Sequence, residues 1–247
     1  MNKIYLHALP ILCCMIFTLS CILLWTTPDR LIGASFCHQI PSRSPEFNFP
    51  YCYRCSGLFS GILAGETAFF LCRQQRKDLL SRSKLIFAVI GIFFYLIDIL
   101  NSSKFSDISF YPESVNIRFL SAFPLGYFLA QIVFQLLNYW IDLPVFRFSD
   151  GIAVNMLMMI AGIAAAYVAI LCHIPVLLTA ARFLLPAGSL LFLSALYTLL
   201  VICYLLLKNE PFSQKNVILS GMAFALIHIV ILGGLHVKFL NFERYFS

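Results

Sequence analysis

The feature that most constrains this chain is the recurrence of long apolar runs separated by short polar connectors. The runs fall at residues 4–25, about 56–72, 85–100, 118–139, 152–172, 183–207 and 217–236. A helix needs about 17–25 mainly apolar residues to cross a bilayer. Inside hydrocarbon the backbone must satisfy its own polar groups, so runs of this kind fold as helices. The expected fold is therefore all-α, a polytopic bundle of about seven transmembrane helices in a lipid bilayer. Only 11% of the residues are charged, against about 25% in a soluble domain. The mean hydropathy of +0.89 says the same.

The run at 4–25 exceeds the h-region of a signal peptide, so it is read as a retained helix. The chain divides into a membrane domain at 1–139, of about four helices, and a membrane extension at 140–247, of about three. The helix at 56–72 carries Gly57, Gly61 and Gly65 at four-residue spacing, a face that lets another helix approach closely. Pro124 and Pro186 lie inside helical runs, where each is expected to introduce a kink.

The net charge is +6, from 17 basic and 11 acidic residues. These charges sit in the connectors, where they orient a membrane protein. No basic helix with interleaved aromatics is present, so nucleic acid is not expected as a partner. There is also no phosphate-cradling glycine loop, serine nucleophile elbow or H-E-x-x-H sequence, and the pattern names no reaction or catalytic residue.

Counting crossings sorts the connectors into two sides. One side holds the N-terminus, the basic connector 73–84, and the stretches 140–150 and 208–216. The other holds loop 26–55, loop 101–117, the connector 173–182 and the C-terminal tail. Lys and Arg divide 9 to 8 between the sides, but five of the nine crowd into 73–84. Short dense basic loops face the cytoplasm, which turns loop 26–55 outward.

Loop 26–55 carries the chemistry. It reads Cys37-His38-Gln39-Ile40-Pro41-Ser42-Arg43-Ser44 and then Cys52-Tyr53-Arg54-Cys55-Ser56-Gly57. The C-x-x-C spacing of Cys52 and Cys55 lets two thiolates converge on one ion, and Cys37 and His38 can complete a four-ligand zinc site. A C-x-x-C at a helix start, with Arg54 between its cysteines, equally suits a thiol–disulfide oxidoreductase. A third reading is a structural clamp that packs the loop over the helix ends. The other six cysteines, Cys13, Cys14, Cys21, Cys72, Cys172 and Cys203, lie in or beside apolar runs and read as small buried hydrophobes.

Ionisable groups inside a membrane usually mark function. Glu66 falls near mid-bilayer on the glycine-faced helix. Asp98 closes the third run, with Arg118, Arg182 or a histidine as expected partners. A transporter with a polar path through Glu66 and Asp98 is a further reading. His228 and His236, eight residues apart, read as core or interfacial histidines, as do His7 and His173.

The string C-H-Q-x-P-x-R-S followed by C-x-R-C-x-G resembles an uncharacterised prokaryotic membrane family, domain of unknown function 2085. The resemblance covers about residues 30–126. That family also tends to show an aspartate late in a helix and then E-S-x-N-x-R, positions matched here by Asp98, Glu113, Ser114, Asn116 and Arg118. The family's glycine and glutamine after the aspartate are replaced by Ile99 and Leu100, and its Thr-Gly step by Ser121-Ala122. The resemblance implies no activity, but it groups these polar residues. The expectation is a zinc site of Cys37, His38, Cys52 and Cys55 in the bacterial cytoplasmic (inner) membrane. Arg43, Arg54, Glu66, Asp98, Glu113, Asn116 and Arg118 form the supporting polar cluster, able to orient ligands or to hold a lipid headgroup or small hydrophobic ligand.

Overall fold

The computed structural model describes residues 52–71, 82–102, 114–141, 143, 152–171 and 174–235. Every regular element among them is helical. These are α1 (Tyr53–Leu71), α2 (Arg82–Ser102), α3 (Val115–Trp140), α4 (Ile152–Leu171), α5 (Pro175–Leu207) and α6 (Gln214–His228), which runs on into a π-turn at Ile229–Gly233. Helices α2 to α6 are each long and apolar enough to cross a membrane. The expected run at 4–25 lies outside the described residues. Contacts divide the described chain into two units, Tyr53–Gly188 and a second that holds Cys52 and Ser189 onward, so the division falls within α5.

The first unit is organised around α1. Helix α1 carries Ser56, Ser60, Glu66, Thr67 and three glycines, yet ten of its nineteen residues are buried. The glycine face seen in the sequence meets α3. A methyl group at Gly57 would overlap the carbonyl oxygen of Phe119. One at Gly61 would stand 2.9 Å from the Tyr127 nitrogen, and one at Gly65 would stand 3.1 Å from the Ala130 Cβ. From the other side, a Cβ on Gly126 would reach to 3.0 Å from the Ile62 nitrogen. Residue numbers rise together on both helices, so α1 and α3 run parallel, main chain against main chain. Lipid tails are as apolar as leucine, so close packing of this kind is what holds membrane helices together.

Helix α2 runs the opposite way along α3. Phe87 stacks on Phe128 with ring centroids 5.4 Å apart, and Gly91 faces Leu125 and Pro124. Its inner stripe is Ala88, Gly91 and Asp98, at three- and seven-residue spacing. Leu85, Ile86, Val89, Phe93, Phe94 and Leu96 are exposed, as on a helix that faces lipid. Helix α4 is also antiparallel to α3. Phe119 meets Tyr167 edge-on at 6.5 Å, and Gly162 packs against Phe123 and Ala64. The ends that alternate crossings should bring to one side thus meet: the starts of α1 and α3 with the ends of α2 and α4.

Two boundaries depart from the sequence reading. Residues 175–182 were expected in a connector, but α5 begins at Pro175. Proline suits the first helical position, where its missing N–H costs nothing, and the leucines and alanines that follow are strong helix formers. Arg182 is therefore a helix residue. Pro124 and Pro186 both sit inside continuous helices.

In the second unit, α6 approaches α5 through Gly221, whose added Cβ would stand 2.7 Å from the Ser194 oxygen and the Thr198 nitrogen. The Ser194 and Thr198 hydroxyls donate to the carbonyls four residues back, each at 2.7 Å. Cys203 is exposed on α5 rather than buried.

Replacing Gly61 by leucine forces α1 and α3 apart along their whole contact. Overpacking of a core costs about 1–3 kcal/mol, and here rigid main chain blocks relief. A thermal scan of the purified full-length protein in detergent should show a clear loss of stability, or no folded protein. Thr67→Val, on the exposed side of α1, should stay near the parent. An unshifted melting temperature for Gly61→Leu would contradict the parallel contact.

Candidate functional site

The cysteine pair straddles the start of α1. Cys52 immediately precedes the helix and Cys55 is its third residue, and both are half-buried. The first turn of a helix presents unpaired N–H groups, and its dipole favours negative charge there. Both effects favour thiolate over thiol. That environment comes from chain geometry alone.

Arg54, between the two cysteines, turns to α2. Its Nε donates to Asp98 Oδ2 at 2.5 Å, and its Nη2 donates to the Asp98 carbonyl oxygen at 3.2 Å. The side chains are 13% and 2% exposed. The sequence reading named Arg118, Arg182 or a histidine as partner to Asp98, and Arg54 takes that place. The pairing has a local reason. Asp98 sits near the C-terminal end of α2, where the helix dipole disfavours an anion. A buried carboxylate there needs a cation, and a guanidinium can bond both carboxylate and carbonyl. The pair therefore ties the start of α1 to the end of α2.

The remaining predicted residues divide. Cys37, His38, Arg43 and Glu113 lie outside the described residues. Ser114 is the residue before α3, in extended conformation, and its carbonyl accepts from the Arg118 amide at 3.1 Å. Asn116 is exposed and Arg118 half-buried in the opening turns of α3, at the same end as Arg54 and Asp98. Glu66 stands apart. Twelve residues beyond Arg54, it lies about 18 Å further along the helix axis, and it is 2% exposed. Among the described residues no group of three or more His, Cys, Asp or Glu side chains gathers to hold a metal ion.

The sequence reading missed an uncharged polar clasp. Tyr127 donates its hydroxyl to the Asn155 carbonyl at 2.8 Å, and Gln131 Nε2 donates to Asn155 Oδ1 at 3.1 Å, both bonds buried between α3 and α4. Gln135 and Asn138 continue the buried polar stripe on α3. The signal was present as Tyr127, Gln131, Gln135 and Asn138 at three- and four-residue spacing in an apolar run. A search for ionisable groups passes over amides. In the second unit, the Tyr197 hydroxyl and His228 Nδ1 are hydrogen-bonded at 2.8 Å. A π-turn at Ile229–Gly233 follows His228, and His236 lies outside the described residues.

The ion pair predicts a non-additive mutant pattern. Removing one partner leaves a charge buried alone, which costs about 3–5 kcal/mol, whereas replacing both with apolar residues is often neutral. Arg54→Met and Asp98→Leu should each lower the unfolding midpoint in detergent strongly, and the double variant should recover most of the loss. Additive losses in the double variant would show that the two charges do not act on each other.

No curated protein and no solved structure matches this chain. Residues 37–133, less than half of its length, match the model of a family described as predicted membrane protein (DUF2085). The matched segment begins at Cys37 and takes in α1, α2 and most of α3, the helices joined by the glycine contact and the Arg54–Asp98 pair. Over residues 37–133 the chain is similar to that family of predicted membrane proteins.

Proposed function

We propose that this integral membrane protein holds a metal ion, zinc by the chemistry of its donors, where loop 26–55 meets the start of α1. Cys37, His38, Cys52 and Cys55 are the ligands. The observation that supports this reading best is the Arg54–Asp98 pair. It anchors the first turn of α1, so Cys52 and Cys55 project from a fixed helix end, and pre-set ligands are what a tetrahedral site requires. It also leaves the arginine beside the thiolates balanced by a carboxylate. A neutral surrounding suits a cluster of thiolates around a dication at the edge of a low-dielectric bundle. Arg43, Asn116 and Arg118 would line the same end, where they can orient ligands or engage a lipid headgroup.

A thiol–disulfide oxidoreductase is the second reading. The position of Cys52 just before α1 and Cys55 in its first turn favours it, because that placement stabilises a reactive thiolate. The pair would then cycle between dithiol and disulfide instead of holding an ion.

One set of measurements separates the two. Full-length protein purified in detergent should carry about one zinc per chain by elemental analysis. Cys52→Ser, Cys55→Ser and His38→Ala should each lose it. Metal-free protein of unchanged stability would refute the zinc site. Trapping of thiols in intact cells should find Cys52 and Cys55 unmodified by oxidation; a population cycling between reduced and oxidised forms would transfer the assignment to redox chemistry.

A further inference from the structure

Hydroxyls buried in an apolar helix normally satisfy themselves by donating to the carbonyl one turn back. This chain follows that habit at Ser194 and Thr198. Ser56 and Ser60 break it. Both are buried in α1, at 1% and 5% exposure, and neither hydroxyl oxygen has a hydrogen-bond partner among the described residues. The same holds for Glu66 Oε1, on a side chain 2% exposed. At about 100° per residue, Ser56 and Ser60 lie side by side, and Glu66 lies about 120° round the helix from Ser60 with Leu63 between them; all three are turned away from the glycine face that packs on α3. Helix α5 approaches Glu66 with Gly188, where an added Cβ would stand 3.4 Å from Glu66 Oε2 and 3.2 Å from Leu63 Cδ1.

We propose that Glu66 is a proton-binding site inside the membrane. Buried polar atoms without partners are rare and require an explanation, and an ionisable one in a membrane interior is costly unless it has a task. A metal cation needs several oxygens together at about 2–2.6 Å, and Ser60, about 9 Å along the axis and about 120° round it from Glu66, is not placed to complete such a set. The step is a simple transfer. The carboxyl O–H bond breaks, its electron pair stays on Glu66, and the proton passes to water. No oxidant or further reactant is involved.

The other titratable groups described on the helices that pack against α1 are Arg118, Tyr127 and Tyr139 on α3, Tyr167 on α4, and Arg182, Tyr197, Cys203 and Tyr204 on α5. Tyr127, level with Gly65, has its hydroxyl on the Asn155 carbonyl, and Asp98 of α2 is held by Arg54. The proposal does not rest on the metal reading, since Glu66 lies about 16 Å along the helix from Cys55.

The test uses full-length protein in lipid nanodiscs and dicyclohexylcarbodiimide, which adds only to a protonated carboxyl. Peptide mapping should place one adduct on Glu66, absent in Glu66→Gln. Its rate should fall about tenfold per pH unit once the carboxyl ionises, the slope of a single proton. The protonated-carboxyl band of Glu66 in infrared spectra should fall as the pH rises and be absent in Glu66→Gln. An unmodified Glu66 at every pH would overturn the proton site, and mapping the parent protein reads this without any variant. Protection by sodium chloride at constant pH would assign the carboxyl to a metal cation instead. Zinc content in Glu66→Gln should match the parent, which keeps this result separate from the fate of the cysteine site.

Discussion

The close approach of α1 and α3 is the contact on which the first unit depends. Gly57, Gly61 and Gly65 on one helix and Gly126 on the other bring two backbones together over nearly three turns. Nothing bulkier than hydrogen fits at these places. In a soluble protein, burial of side chains would supply most of the stabilisation. In a bilayer that term is largely absent, and dispersion between closely packed atoms replaces it. The glycines also allow α1, with its serines and a glutamate, to lie in the interior. Enclosed by α3 and α4, it can carry Ser56, Ser60 and Glu66 where a lipid-facing helix could not. Helix α2 is the complement, with few buried residues and a broad apolar outer face.

Polar groups in this interior are handled in three different ways. The Arg54–Asp98 pair neutralises charge by charge at one end of the bundle. The Tyr127, Gln131 and Asn155 clasp joins uncharged groups across two helices, leaving Gln131 Oε1 without a partner among the described residues, and it adds orientation to a contact that packing alone would leave free to slide. On α1 the hydroxyls of Ser56 and Ser60 and one oxygen of Glu66 remain unsatisfied among the described residues. The first two arrangements stabilise the bundle; the third raises its energy. This contrast within one bundle is why the two functional proposals fall at different depths, a cysteine site at the helix start and a carboxyl in the interior.

The fold was largely legible in the sequence because bilayer thickness imposes one length on every crossing. The runs at 85–100, 118–139 and 152–172 reappear as α2, α3 and α4 within a few residues. The start of α5 departs from the expected connector 173–182, because Pro175 fits a first helical turn as well as a loop. The three α1 glycines were recognisable as a packing face, but their partner was not. Glycine spacing specifies a flat surface and leaves open which helix rests on it. Gly126 supplies the other half of that surface only once α1 and α3 run parallel, in register.

By itself, the sequence determined that the chain is a helical membrane protein and that the starts of α1 and α3 share a side with the end of α2. Those results follow from local hydropathy and from the parity of crossings, which need no coordinates. The tertiary structure decided the pairings. Charge and hydropathy could not choose between Arg54, Arg118 and Arg182 as partner to Asp98, since all three belong to one side of the membrane. The choice depends on the rotation of α1 about its own axis, and the glycine contact sets that rotation. The same rotation turns Ser56, Ser60 and Glu66 away from α3. No sequence pattern encodes it, because it arises only when two backbones meet.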